Sequence, residues 1–277
     1  MTEGRDNHAR HVVRGVFLLF SRHKRPDRGA IRDFVKAHPT ISLTHDPSAR
    51  TQLHLVGETE ALHPTSTSND GGSDNELVWL ELLREGLTFD IAGLLPGEGL
   101  EVPLCEHQFD YREEICRSRL EAVRLTPGSH LAGGEASLPV LRGMFSLTRD
   151  LVRHFEAIEA IAWPPSSSLI GRRFFESTVA AWLEGGAFPA LGLTAFRETL
   201  DGGLVSVGLE FLIGQELRIE PPIAGDKVAA TRLGVRLVNQ LVLSGPVEGM
   251  EQIIAPDGQR LQLEPSSNGR FVRVWGA

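Results

Sequence analysis

Cysteine, lysine and long apolar runs are all scarce in this chain, and each scarcity closes off a class of protein. Two cysteines, Cys105 and Cys116, among 277 residues make no disulfide framework of the kind that holds small secreted domains together. The apolar stretch Val12–Phe20 is interrupted by Arg14 and falls far short of the roughly 20 residues needed to span a membrane. Arg22-His23-Lys24-Arg25 stands where a signal peptide would carry its small-residue cleavage site. The cytoplasm is therefore the expected compartment, with no membrane association. Lysine occurs only at Lys24, Lys36 and Lys227, so nearly all positive charge is arginine, which we read as codon bias in a GC-rich bacterium.

Motifs that carry chemistry are lacking as well. There is no Gly-x-Ser-x-Gly elbow; Gly128-Ser129-His130 and Ser166-Ser167-Ser168 read as loops. Gly97-Glu98-Gly99 has no third glycine and runs into Leu100-Glu101-Val102, so no helix N-terminus aims backbone donors at a phosphate. No cofactor is expected. The net charge of −8 opposes general nucleic-acid binding, which depends on neutralising phosphates.

What is present is a globular composition, 41% hydrophobic and 23% charged, able to bury a sizeable core. Charge is unevenly spread. Nine basic against four acidic residues leave positions 1–36 at +5, so the remainder carries −13. A basic arm on an acidic body can meet an acidic partner or the body itself; a solvated face with a frayed end is the plainer account.

The residue patterns predict an α+β chain of two lobes. Residues 1–10 are a disordered basic terminus. In the first lobe, 11–105, Val12–Phe20 reads as a buried strand. A short helix opens at Pro26-Asp27, with Ala30, Ile31, Phe34 and Val35 at helical spacing, and Pro39 stops it. Ile41–Thr44 and Gln52–Val56 read as strands. Residues 64–75 hold no large apolar side chain and predict a mobile loop. Asp74 or Asn75 is expected to cap a helix carrying Leu77, Trp79, Leu80 and Leu83 and closed by Gly86, before a strand over Leu87–Ile91. The order βαββαβ is that of ferredoxin-like folds.

Residues 106–119 form a charged connector to the second lobe, 120–277, expected as a larger mixed or antiparallel sheet packed with helices. Its strands are Leu120–Leu125, Ala157–Trp163, a hairpin of Leu191–Arg197 with Leu204–Phe211, and a closing meander over Gln252–Ile254, Leu261–Leu263 and Phe271–Trp275. Its helices are one from Ser137 to Phe155, one over Arg172–Glu184, and one capped by Asp226 with Val228, Leu233, Leu237, Val238 and Leu241 at helical spacing.

Ala160-Ile-Ala-Trp163-Pro-Pro, Phe174-Phe175, Trp182-Leu-Glu-Gly-Gly-Ala-Phe-Pro-Ala-Leu-Gly-Leu193 and Gly208-Leu209 with Gly214-Gln215-Glu216-Leu217 resemble a large bacterial family catalogued as domain of unknown function 4261. The similarity covers most of residues 118–277. Its motifs are Trp, Gly, Pro and one short acidic strand, so the resemblance implies an α+β cytoplasmic protein of bacteria and brings no activity.

Three constellations stand out. Gln215-Glu216-Leu217-Arg218-Ile219-Glu220 alternates, with Leu217 and Ile219 on one face and Glu216, Arg218 and Glu220 on the other. This is a half-exposed strand with cross-strand ion pairs, or one wall of a binding groove if Arg172, Arg173 and Trp182 approach it. Trp163, before Pro164-Pro165, caps the core edge or walls a site. All ten histidines precede residue 155, and Cys105, His107, Cys116 and His130 are the candidate metal ligands. A second tight ligand pair, usual in structural zinc sites, is missing. His45 and His54 lie on strands expected to be neighbours. From these features we expect a non-enzymatic intracellular protein-binding module, immunity- or adaptor-like. The alternative is a hydrolase or transferase whose histidines and carboxylates meet between the lobes.

Overall fold

The structure is a computed structural model that describes residues 15–47, 78–111, 119–255 and 258–276. These residues form a mixed α+β fold with two sheets and six helices. The expected strand over Gln52–Val56, the loop 64–75, the basic terminus 1–10, His54 and Cys116 lie outside the described residues.

The first sheet has eight strands. β1 (Val16–Ser21), β2 (Ile41–His45), β3 (Trp79–Arg84), β4 (Leu87–Ala92), β5 (His107–Phe109), β6 (Leu120–Pro127), β7 (Ile158–Trp163) and β8 (Ser168–Gly171) lie in the order β2-β3-β4-β6-β1-β7-β8-β5. Neighbours are antiparallel except β5 with β8. The second sheet has six strands in the order β12-β13-β14-β11-β10-β9. They are β9 (Ala195–Glu198), β10 (Leu204–Val207), β11 (Glu216–Ile219), β12 (Glu251–Ile254), β13 (Arg260–Pro265) and β14 (Phe271–Gly276). Here β11 and β14 are parallel.

The helices are α1 (Arg28–Ala37), α2 (Leu138–His154), α3 (Arg172–Leu183), the kinked turn α4 (Ala190–Leu193), α5 (Leu209–Ile213) and α6 (Lys227–Ser244). Two of their starts follow from the residue before them. The Asp27 carboxylate accepts the Ala30 N–H at 2.7 Å, and the Asp226 carboxylate accepts the Val228 and Ala229 N–H groups at 3.0 Å. Each satisfies donors that the first helical turn leaves open.

Several expectations change. The helix predicted to run from Asp74 or Asn75 to Gly86 is instead strand β3, so the front order is βαβββ among the described residues. Trp79-Leu-Glu-Leu-Leu-Arg84 satisfies either period in isolation, but tertiary pairing selects alternation. Leu80, Leu82 and Arg84 are buried and their neighbours half-buried. Glu85 and Gly86 both take positive φ, 51° and 80°, the two-residue hairpin that joins β3 to β4. The strand expected through Phe211 stops at Val207, where Gly208, at φ 95°, turns the chain into α5. The sheets also cut across the expected lobes. β6, β7 and β8 follow the 106–119 connector yet pair into the sheet begun by β1, and the connector itself supplies β5.

One apolar cluster runs through both sheets, from Val16, Leu18 and Phe20 through Leu141, Phe145 and Leu151 of α2 to Leu217, Ile219, Val272 and Val274. Between the sheets, Trp163 meets Phe211 edge-on at 5.4 Å. Gly208 lies so close to Ser166 that an added Cβ would fall 2.7 Å from the serine Cβ. On the other face of the first sheet, Ala122, Ala160 and Ala162 keep the surface flat. Leu100, Val102, Cys105 and Tyr111 pack there against Phe17, Leu19 and Leu169. Arg25 holds the edge of this cover, donating to the Gly97 carbonyl at 3.1 Å and pairing with Glu121 at 3.3 Å.

Candidate interaction surface

The residues singled out from the sequence divide between scaffold and surface. Trp163 is buried; its indole N–H donates to the Leu193 carbonyl at 3.0 Å and its ring packs on Phe145 at 5.3 Å. Gln215 is buried and acts as a clamp. Its amide donates to the carbonyls of Val247 and Gly269 at 3.2 and 3.1 Å and accepts the Val247 N–H at 2.9 Å. The Glu216 carboxylate accepts from the Ser206 hydroxyl and from the N–H groups of Gly208, Leu209 and Glu210 at 2.7, 3.2 and 3.2 Å. Burial pushes its pKa up, and those donors oppose the rise. Its carboxylate thus closes the start of α5 and is already fully engaged.

Arg218 and Glu220 form the expected ion pairs. Arg218 Nε lies 2.9 Å from Glu220, which also receives Arg273, and Arg218 reaches across to Asp201. The Glu220 bond pushes the Arg218 pKa up. The Thr199 hydroxyl, followed by Arg218, holds Asp201 at about 2. Arg273 stacks over Trp275 at 4.1 Å. Arg172 sits apart at the start of α3, donating to the carbonyls of Phe155 and Glu156 at 3.2 and 3.1 Å, and Arg173 is exposed.

Of the proposed metal ligands, Cys116 lies outside the described residues, and His107 and His130 stand apart along the first sheet. His107 lies on β5 at one edge of the first sheet. His130 follows β6, with β1, β7 and β8 between, and meets Thr88 at 3.2 Å. Cys105 is half-buried, its thiol 3.7 Å from the Pro103 carbonyl. Among the described residues no group of three or more His, Cys, Asp or Glu is arranged to hold a metal ion. His45 stacks on Trp79 at 5.1 Å, near Glu81 and Asp90, which oppose each other on β3 and β4. Burial, then the Glu81 charge, pushes the Asp90 pKa up. Among the described residues no helix is long and apolar enough to cross a membrane.

Trp182 leads to the surface that sequence reasoning missed. It is buried on α3 against Phe145 and Phe188, with Arg142 over its ring at 5.1 Å. Beside it a cleft of 450 Å3 is lined by Leu138, Arg142, Phe188, Asn239, Val242 and Leu243. Two more clefts open along the same helix, α6. One of 560 Å3 is walled by Leu191, Lys227, Val228, Thr231, Val235 and two arginines, Arg232 and Arg236. The same arginines border the other, of 320 Å3, with Ile223, Leu233, Ala255 and Gln259.

The pattern is set by how α6 lies on the second sheet. Leu237, Val238 and Leu241 are buried as expected, and Gly234 lets the helix approach the Phe196 ring, where an added Cβ would be 2.6 Å from a ring carbon. Val228, expected on the inner face, is instead 60% exposed, and Leu243 is 77% exposed. Val228, Arg232, Val235, Arg236, Asn239 and Leu243 recur at spacings of three and four, a single outward stripe. Among the described residues no carboxylate lines any of the three clefts. Lys227 pairs with Glu198 at 3.4 Å, whereas Arg232 and Arg236 have no ion pair among the described residues.

The chain matches none of the known protein families, none of the curated proteins and none of the solved structures with which it was compared.

Proposed function

We propose that this protein is a non-enzymatic, intracellular protein-binding module, immunity- or adaptor-like, whose contact surface is the outward stripe of α6. The observation that carries this reading is the convergence of three clefts on one helix, with apolar side chains at both ends of the stripe and cations between them. Single exposed apolar residues are ordinary on any surface. Here they share a helix face and open into concave, mostly apolar ground, the arrangement on which a partner can seat anchors. Kinship with the family of domain of unknown function 4261, and with it a bacterial, cytoplasmic setting, belongs to the same proposal. It rests on Trp163, Trp182, Gln215 and Glu216, whose contacts hold the framework beneath the stripe.

Photo-crosslinking in the host tests it. A benzoylphenylalanine placed at Val228 or at Leu243 is expected to capture the same protein, while one at Glu251 or Arg260 captures none. Absence of an adduct at both α6 positions, or equal capture at all four, overturns the reading.

A further inference from the structure

We infer that the segment received by α6 is an amphipathic helix bearing two carboxylates one turn apart between apolar ends; this rests on the proposal that the α6 stripe binds protein. The order of chemistry along the stripe is the reason. Val228 and Leu243 stand at its ends, and Arg232 and Arg236 lie between them. At the rise of an α-helix the ends are about 22 Å apart and the two arginines about 6 Å apart. That arginine spacing matches acidic residues at i and i+4, or i and i+3, on a facing helix. The full stripe matches a partner of roughly four turns.

Charge complementarity selects the acid. The whole chain carries −8, yet the three clefts along α6 are lined by Arg142, Lys227, Arg232 and Arg236 and, among the described residues, by no carboxylate. Guanidinium groups favour carboxylates because their fork of donors matches both oxygens. Arg218 and Arg273, by contrast, are engaged by Glu220 on the outer face of the second sheet. Arg232 and Arg236, by comparison, stand beside apolar side chains of α6 with no ion pair among the described residues. A basic helix, or a nucleic acid needing a continuous cationic surface, fits this alternation less well. Helix-in-groove recognition accounts for both the apolar ends and the charged middle.

The probe is a synthetic helical peptide with glutamates at i and i+4 between leucine-bearing ends, compared with versions carrying glutamine or lysine at the two positions. Binding to the full chain is read by fluorescence anisotropy. The glutamate peptide is expected to bind, with glutamine substitution weakening it by about tenfold or more. The pair Arg232→Glu and Arg236→Glu should abolish binding of the glutamate peptide and confer binding of the lysine peptide, with an unchanged melting curve showing that the fold persists. Equal binding of the glutamate and glutamine versions overturns the acidic partner while leaving an apolar α6 interface standing. Failure of all three peptides also overturns it, and crosslinks from Val228 and Leu243 then decide separately whether α6 binds protein at all.

Discussion

The two long helices, α2 and α6, are nearly equal in length, 17 and 18 residues, yet are used in opposite ways. Helix α2 packs between the first sheet and α3, and 11 of its residues are buried, on nearly every side. Four of its polar groups are answered internally: Thr148 donates to the Met144 carbonyl at 2.8 Å, Asp150 receives Arg84 and Arg149, and Arg142 donates to the carbonyls ending α3. Helix α6 buries six residues on one face and leaves apolar and cationic groups on the other. A helix buried all round is devoted to the core, whereas a two-faced one can meet the core and a partner at once. The contrast teaches that the unanswered polar groups, more than the total apolar content, distinguish a surface available for recognition.

Core substitutions should break the comparison most strongly. Phe145 on α2 packs against Trp163, Phe175 and Trp182, and Phe145→Ala should cost about 3–5 kcal/mol. Leu243→Ala on α6 should change stability by no more than about 0.5 kcal/mol. Urea unfolding of the two variants checks this, and similar losses from both would show that α6 belongs to the core as fully as α2 does.

The buried ion pair comes next. Asp150→Ala removes the near carboxylate partner of Arg84, which is almost wholly buried on β3, and leaves only the exposed Glu85, 3.9 Å from Nε. Leaving that guanidinium with only a distant, solvent-exposed partner should cost about 3 kcal/mol. Replacing both members with apolar residues of similar volume should recover much of the loss. Arg232→Ala on α6 removes no ion pair among the described residues and should leave the unfolding midpoint nearly unchanged. A double-mutant cycle between positions 84 and 150 gives the coupling directly; coupling near zero would mean that water serves both groups.

The glycines of the two helices give a smaller effect. A Cβ on Gly234 of α6 would meet the Phe196 ring at 2.6 and 2.8 Å, whereas on Gly143 of α2 it would meet Leu87 and Phe89 at 3.0 and 3.1 Å. Gly234→Ala should therefore destabilise more than Gly143→Ala, with overpacking of about 1–3 kcal/mol set against the helix propensity gained. Thermal melts rank the two variants, and the reverse order would place the tighter helix–sheet approach at α2.

Much of this organisation is legible in the sequence because it is local. The Asp27 and Asp226 caps and the alternation that hides Leu217 and Ile219 follow from local sequence alone. Residues 79–84 read as a helix in isolation because their leucines satisfy both periods, and the deciding contact is with β4 and β2. Which strands share a sheet is not legible either. The pairing of β6 and β7 with β1 joins residues about a hundred or more positions apart. The α6 stripe is half visible. Leu237, Val238 and Leu241 announce the inner face, but Val228, grouped with them by helical spacing, stands nine residues before Leu237, about half a turn round the helix, and is exposed. The absence of local acidic partners for Arg232 and Arg236 among the described residues becomes visible only once the clefts are formed.

The smallest expected difference lies at the helix ends. The last turn of α6 holds no basic group, whereas α2 ends in Arg153 and His154. The dipole at a helix C-terminus favours a protonated histidine, and Asp33, on α1, acts in the same direction. Burial, then His38 across a ring separation of 5.8 Å, acts against it, and the His154 pKa lies below its ordinary 6.5. The Phe34 and Phe155 rings complete these surroundings, edge-on at 5.2 and 4.7 Å, while Lys36 is engaged with Asp33 at 2.8 Å. Because the folded value is the lower one, the unfolded chain binds the extra proton first as pH falls. The contribution to stability is full above about 6.5 and is lost as pH drops through the folded value. His154 is exposed, so the effect should be small. The wild-type urea midpoint should fall slightly more between about pH 7.5 and about pH 5.5 than that of His154→Gln, with proton NMR placing the His154 titration below about 6.5. Equal falls in both proteins, or a titration above that value, would mean that the helix end and Asp33 outweigh burial and His38, making α2 cation-stabilised at its terminus.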